Sequence, residues 1–410
     1  MHSRSVAAFY KPELDGLRFF AFLCVFVSHA LSNFSSSSPA LVKLVHVVAQ
    51  AGDFGVDLFF ALSSYLITEL LLREIRQTGS LDIRAFYVRR SLRIWPLYFF
   101  FVGICFFATR LDHTQVIGRS VALGYFLFAA NWVIVAQGRW PASFISPLWS
   151  VSVEEQFYLA WPWLVRKASR RHIFGVALAM LAVATGTRIY FAATGASDPA
   201  VWACTLSRLD PIACGAMVAV FMNGGEPRRS PARSVLFIAI GLTIVLLGAA
   251  AWDRVTAGSI TPIFCYLIAA AGVTMILFGS FGFDVLKWKP FVELGKRSYG
   301  LYVYHSLGFY LAMHLMAARS TIAALVAFRL LALTLTIGMA WLSYALLEAP
   351  FLKLKRRFTI VPSRDNPAAS PEIALQLPIG EKPSVIFERK RTENESSVRS
   401  SDPVSGNRVD

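Results

Sequence analysis

Charge is what this sequence has least of. Only 16% of its 410 residues are Asp, Glu, Lys or Arg, against 56% hydrophobic ones, whereas soluble domains carry roughly a quarter charged residues. The shortage excludes an ordinary soluble domain and leaves an all-α, polytopic integral membrane bundle. Acidic residues are scarcer than basic ones, 25 against 40, for a net charge of +15. A surplus of that size suits nucleic acid, but here the basic residues punctuate apolar runs and form no single patch. That is the mark of positive-inside topology in a lipid bilayer, and no nucleic-acid partner is expected. The five cysteines (Cys24, Cys105, Cys204, Cys214, Cys265) all fall inside apolar stretches. They lack metal-ligand spacing and read as small core residues, so no metal is expected.

Against this apolar background the run from Glu13 to His29 stands out, because it carries Arg18 and His29 in an otherwise apolar helix. Eleven steps of about 100° bring the two side chains to one face, about 16 Å apart along the axis. If Arg18 marks the membrane edge, His29 lies near the middle of a hydrocarbon layer roughly 30 Å thick. Ionisable residues at that depth point to function by default. A packing histidine is the plain alternative. Glu13 and Asp15 sit directly before the apolar run, where a signal peptide wants positive charge, so 1–31 reads as a retained first helix.

Apolar segments follow at 17–33, 54–72, 94–109, 121–136, 149–165, 172–193, 201–222, 235–252, 260–280, 299–318 and 321–347. The loops at 73–93, 166–171, 223–234, 281–297 and 351–357 hold six, four, three, four and four Lys/Arg; those at 34–53, 194–200, 251–259 and 319–320 hold at most one. All basic loops fall on one side only if 121–136 does not span. At 16 residues, with Gly124 and Asn131 inside, it is shorter than the ~20 a span needs. It therefore reads as re-entrant or interfacial, leaving about ten transmembrane helices with both termini in the cytoplasm. Residues 1–357 form the membrane domain. Beyond them, 358–410 is rich in Pro, Ser, Glu, Arg and Lys, and reads as a disordered cytoplasmic tail too short for a second catalytic domain.

Four further groups bear chemistry. Arg89 and Arg93 are four apart and share a helix face, with Arg90 beside them. Three guanidiniums there can clamp a polyphosphate, or serve as plain positive-inside anchors. Glu154 and Glu155 open a span; Ser152-x-x-Glu155 fits a capping box, which leaves Glu154 without a structural role. His305 stands among tyrosines seven residues into its span. Asp57, Arg208 and Asp210 are intramembrane charges that read as buried partners, and Arg208 and Asp210, two apart, cannot pair with each other along a helix face.

Taken together the set resembles the acyltransferase 3 family of integral-membrane acyltransferases, of the stand-alone type without an esterase-like domain. The matching stretches are LDGLR…SHA at 14–30, GVDLFFALSSYLI at 55–67, FYVRRSLRIWPLY at 86–98, LWSVSVEEQFYL at 148–159, SRLDPIACG at 207–215, SYGLYVYHS at 298–306 and YALLEAPF at 344–351. Two departures are Ser63-Ser64-Tyr65 in place of the usual Ser-Gly-Phe, and no proline after His305. The resemblance implies an enzyme of the bacterial inner membrane. It would take an acyl group, usually acetyl, from cytoplasmic acyl-CoA to a hydroxyl of a saccharide or glycolipid of the envelope. Acyl-CoA would be a co-substrate, with no tightly bound cofactor. The family's functional positions fall here on His29, Arg18 and Glu154 for catalysis and on Arg89, Arg90 and Arg93 for the donor. The alternative is a transporter or flippase of a lipid-linked sugar, with the same charges lining a substrate path. A sensory or scaffolding protein accounts poorly for so many intramembrane ionisable residues.

Overall fold

Proline is tolerated in the first turn of a helix, where its missing N–H has no partner to lose. Helix α1 begins that way, Pro12–Leu31, with Glu13 and Asp15 in its first turn at the positive end of the helix dipole. The computed structural model describes residues 9–361 apart from 33, 35–36, 115–116, 226–229, 253–259, 317–320 and 360. Among these residues every element is helical and no strand occurs. The described elements belong to one compact unit, Met1–Asp365. From residue 362 onward the expected tail lies outside the described residues.

Ser38 caps α2 (Pro39–Asp53) through its hydroxyl, which accepts the N–H of Leu41. The chain passes through Phe54 into α3 (Gly55–Thr78), which Gly79 ends in the left-handed conformation. Asp82 caps α4 (Ile83–Leu111). Then follow α5 (Arg119–Phe126), α6 (Ala130–Gln137), α7 (Trp149–Lys167), α8 (Arg170–Thr194), α9 (Asp198–Ala203) and α10 (Leu209–Met222). The chain continues as α11 (Pro231–Ala250), α12 (Thr261–Ser280), α13 (Lys289–Lys296), α14 (Ser298–Leu315) and α15 (Ile322–Ser343). A π-helical turn, Tyr344–Glu348, leads into α16 (Ala349–Lys355).

The basic loops gather at one end of the bundle. Glu13 accepts the N–H of Gly282 (3.2 Å) and Arg73 donates to the carbonyl of Gly224 (3.3 Å), joining the start of α1 and the ends of α3, α10 and α12. Helix α10 runs parallel to α3 and so close that Gly215 has no room for a Cβ beside the backbone of Ala61. Where α2 meets α3, a Cβ on Gly55 would lie 2.6 Å from the carbonyl of Ala21 on α1. At the opposite end, Tyr310 of α14 donates to Asp112, just past α4, at 2.6 Å. That phenol, with Thr114, holds the Asp112 carboxyl down to about 2.

Three expectations from the sequence change. The stretch 34–53, read as a loop, contains the 15-residue α2, because Ser38-Pro39 starts a helix that the apolar count overlooked. Helix α1 starts at residue 12, ahead of the apolar run at 17, and His29 lies exposed in its last turn. The span 201–222 is broken: α9 gives way to a 3-10 turn at Leu206–Arg208 before the 14-residue α10. The capping box does not form, since Leu148 precedes α7, with no side-chain cap bond, and Ser152 lies inside the helix. Among the described residues seven helices are long and apolar enough to cross a membrane, which fits the expected helical membrane bundle. Helices α7, α10 and α14 fall short because they carry Glu154 and Glu155, stop at 14 residues, and carry four tyrosines and two histidines, respectively. All the same, the multi-pass helical membrane bundle stands.

The stretch 121–136 does not span. Phe128, with φ of 51°, breaks it into α5 and α6, each about 12 Å long. Gln156 of α7 pins the break, donating to the Phe128 carbonyl and to Asn131, both at 2.9 Å. Gly138 comes to rest against Ser197, at the end of the bundle where α8 stops. We predict that a topology reporter fused after Gln137 reports the same side as one near Gly195 and the opposite side from one at Lys167. Agreement of Gln137 with Lys167 would make 121–136 a span.

Candidate active site

Because α1 is one unbroken helix, Arg18 and His29 are held on the same rod. Arg18, paired with Asp15 at 3.1 Å, faces a cavity with about 670 Å³ of atom-free space. Helix α4 turns Arg90 and Arg93 into it, α7 supplies Ser150, Glu154 and Tyr158, α3 supplies Ser63, and α14 supplies Tyr299 and Tyr302. Three arginines and one glutamate singled out from the sequence thus share one cavity.

Their partners separate them. The single hydrogen of the Tyr158 hydroxyl is shared between Glu154 (3.3 Å) and Ser63 (3.1 Å). Glu155, about 100° around the helix, turns away and accepts from Trp95 Nε1 at 3.1 Å. Arg90 lies over the rings of Tyr158 (5.6 Å) and Phe86 (5.7 Å), contacts that favour a cation. Neither Arg90 nor Arg93 makes an ion pair among the described residues. Arg89 points elsewhere, donating to Glu74 (2.9 Å) and to the carbonyl of Phe358 (2.8 Å). Lys355, by sequence only one more basic residue of a loop, stands within electrostatic reach of Arg93, Arg90, Arg89 and Arg18.

His29 does not line the cavity. Its Nδ1 lies 2.9 Å from the Val25 carbonyl. A carbonyl only accepts, so Nδ1 carries the hydrogen and Nε2 presents a lone pair. The ring packs edge-to-face on His305, centroids 4.9 Å apart. His305 is fully buried, and its Nδ1 likewise faces a carbonyl, that of Tyr302. Tyr302 links the two regions: it lines the cavity, its ring lies 5.4 Å from that of His305, and its hydroxyl donates to Pro147 (3.0 Å) beside Ser150 (2.8 Å). Next to His29, the hydroxyl of Ser28 donates to Asp53. No local signal marks Asp53, since its partner is 25 residues away and on another helix.

Two further pairs of opposite charge are buried in the bundle. Arg208 donates to Asp57 at 2.7 Å and lies 4.2 Å over Trp202; Arg188 binds Asp210 with two nitrogens. Arg188, lone in an apolar run, is the missing partner of Asp210. Breaking a buried pair by removing one partner costs about 3–5 kcal/mol. Asp57→Asn is therefore predicted to lower the thermal unfolding midpoint of the detergent-solubilised protein by several degrees or more, and Asp53→Asn by much less. Equal midpoints for Asp57→Asn and the parent chain would contradict the pairing.

The acyltransferase 3 family profile, described as an acyltransferase domain, matches residues 11–348. The chain is 25% identical over 402 residues to "O-acetyltransferase OatA" of Staphylococcus aureus, covering 92% of this chain and 62% of that protein. It is 29% identical over 334 residues to "Putative peptidoglycan O-acetyltransferase YrhL" of Bacillus subtilis, covering 72% and 48%. "Peptidoglycan O-acetyltransferase OatA" of Listeria monocytogenes is 29% identical over 327 residues, covering 72% and 49%. The chain thus spans about half to three-fifths of the length of these relatives. No solved structure matches it significantly. With the profile running from the start of α1 to the π-helical turn, and so over every residue of the cavity and both histidines, the chain belongs to the acyltransferase 3 family.

Proposed function

We propose that this protein is an O-acyltransferase of the bacterial inner membrane, with both termini in the cytoplasm, that moves an acyl group from cytoplasmic acyl-CoA to a saccharide hydroxyl of the envelope. The names of its relatives favour acetyl as the group and peptidoglycan as the acceptor. The observation that carries the reading is the cavity at the basic end, where Arg90 and Arg93 stand without carboxylate partners beside Arg18 and Lys355. Like charges crowded in a poorly solvated site repel one another, and a bound polyphosphate removes that cost. Planar guanidiniums suit it, since each can hold phosphate bidentately. Arg89, tied to Glu74 and Phe358, steadies the cluster and does not contact the donor.

A thioester entering along Arg18 and Glu154 approaches Tyr302 and, beyond it, the paired histidines. His29 then takes the acceptor hydroxyl's proton on Nε2 as the oxygen attacks the acyl carbon, or carries the acyl group outward itself. The carbon–sulfur bond breaks and CoA leaves as a thiolate held among the arginines. Glu154, with Tyr158 and Ser63, orients the thioester end of the donor.

Two outcomes test this. Arg90→Ala and Arg93→Ala should each weaken acyl-CoA use about ten- to hundred-fold, the worth of one charged contact, with little rescue by Lys; Arg89→Ala should act mainly on stability. Unchanged kinetics in both would reduce the cluster to a topology signal. His29→Gln, which keeps the hydrogen-bonding shape but not the base, should insert normally and lose about 10²–10⁴-fold in transfer. A flippase would show no CoA release by the purified protein at all.

A further inference from the structure

The proposed transfer leaves one chemical group unused. His305 is fully buried, one helical turn beyond the cavity residue Tyr302 and in ring contact with exposed His29. Building on the donor reading above, we propose that the two histidines divide the reaction, His305 receiving the acyl group and His29 activating the acceptor.

Position supports the division. Val56 lines the cavity, and its neighbour Gly55 packs against Val25 on α1, one turn before His29. The cavity wall at Val56 thus adjoins the stretch of α1 one turn before His29. His305 lies across that interval, against Tyr302 on one side and His29 on the other. Exposure runs the same way: His305 is shut away from the surface, while His29 is open to it at the end of α1. A reactive acyl-imidazole survives longest away from water. A base for an incoming saccharide must be where the saccharide can reach. Both rings fix Nδ1–H on a backbone carbonyl, Val25 for one and Tyr302 for the other, so in the neutral rings Nε2 carries the lone pair these roles require. That of His305 lies 3.4 Å from the Ser306 hydroxyl, which must turn aside for attack.

The steps balance. The Nε2 lone pair of His305 attacks the thioester carbon and the carbon–sulfur bond breaks. CoA thiolate leaves into the arginine-lined cavity, and His305 becomes an acyl-imidazolium whose Nδ1–H stays on the Tyr302 carbonyl. The acceptor oxygen next attacks the acyl carbon and gives its proton to His29 Nε2, and the carbon–nitrogen bond breaks, returning the electron pair to His305. His29 releases its proton on the open side and the thiolate takes one on the basic side. The sum is the ester and free CoA.

The test uses the full-length protein in lipid nanodiscs with radiolabelled acetyl-CoA and no saccharide. His29→Gln should give a burst of about one CoA per protein and label on the peptide that holds His305, persisting longer than in the parent chain. His305→Gln should give neither burst nor label. Because His305 is buried, His305→Ala is compared with and without added imidazole: a lost carrier should regain CoA release, by at least tenfold, and a packing defect should not. Label on His29 in the His305 variants, or a full burst from His305→Gln, overturns the division while leaving acyl-CoA as donor. A parent chain that never releases CoA, even with peptidoglycan fragments as acceptor, overturns the donor reading and this proposal with it.

Discussion

A charge taken out of water must be given a partner, and that constraint shapes this bundle more than any apolar contact. The cost of stripping a carboxylate or guanidinium of water is several kcal/mol even after relaxation. Asp57 with Arg208, and Arg188 with Asp210, meet that cost by pairing across α3, α8 and the turn before α10. Tyr266 lies 4.8 Å from the Arg208 guanidinium and 5.2 Å from that of Arg188, adding an aromatic face to both. At the basic end the solution differs: Glu69 takes Arg73 and Arg76, and Glu74 takes Arg89. Arg90 and Arg93 form no ion pair among the described residues, and Glu348 and Asp15 lie only within electrostatic reach of Arg93, and Glu154 of Arg90. The same physics thus separates the cations paired across helices from the two that line the cavity.

Irregular backbone is admitted where the same rule can be met. The break at Phe128 and the turn before α10 leave carbonyls without helical partners, which lipid would penalise. Gln156, Asn131 and Thr205 satisfy them and each other: Asn131 donates to Thr205 at 2.8 Å, and Thr205 to Gln156 at 2.6 Å. One side chain of α7 thus fixes the re-entrant stretch, while Glu154, two residues before it, faces the cavity. The helix that carries a site residue is held in place by a polar knot outside the site.

Much of this was legible from spacing. The eleven-residue step from Arg18 to His29 held because α1 is unbroken, and the i, i+4 pair Arg89 and Arg93 did lie on one continuous helix. What spacing cannot supply is the partner across helices. Nothing local distinguishes Arg89 from Arg90, yet Glu74 and Phe358 take the first and leave the second to the cavity. Nothing local joins His29 to His305, 276 positions further along. The family resemblance ordered the segments correctly, but the pairing of the two rings emerges only when α1 and α14 pack.

Two of the helices that fall below the membrane-spanning standard, α7 and α14, line the cavity together with α1, α3 and α4, which meet it. Helix α14 contains Tyr299, Tyr302, Tyr304, His305 and Tyr310, and α7 contains Glu154, Glu155, Gln156 and Tyr158. Each polar group lowers the helix's own preference for lipid, and each is tolerable because neighbouring helices cover it. The outer helices α8, α11 and α15 show the converse. They are apolar nearly all round and largely uncovered, with 22%, 28% and 11% of their most apolar stretches buried. In a bundle of this kind, apolarity measures how much of a helix the lipid sees and polarity how much the protein must cover. A polar helix in an otherwise apolar series is thus a physical pointer to the protein-covered interior, available from sequence before any fold is known.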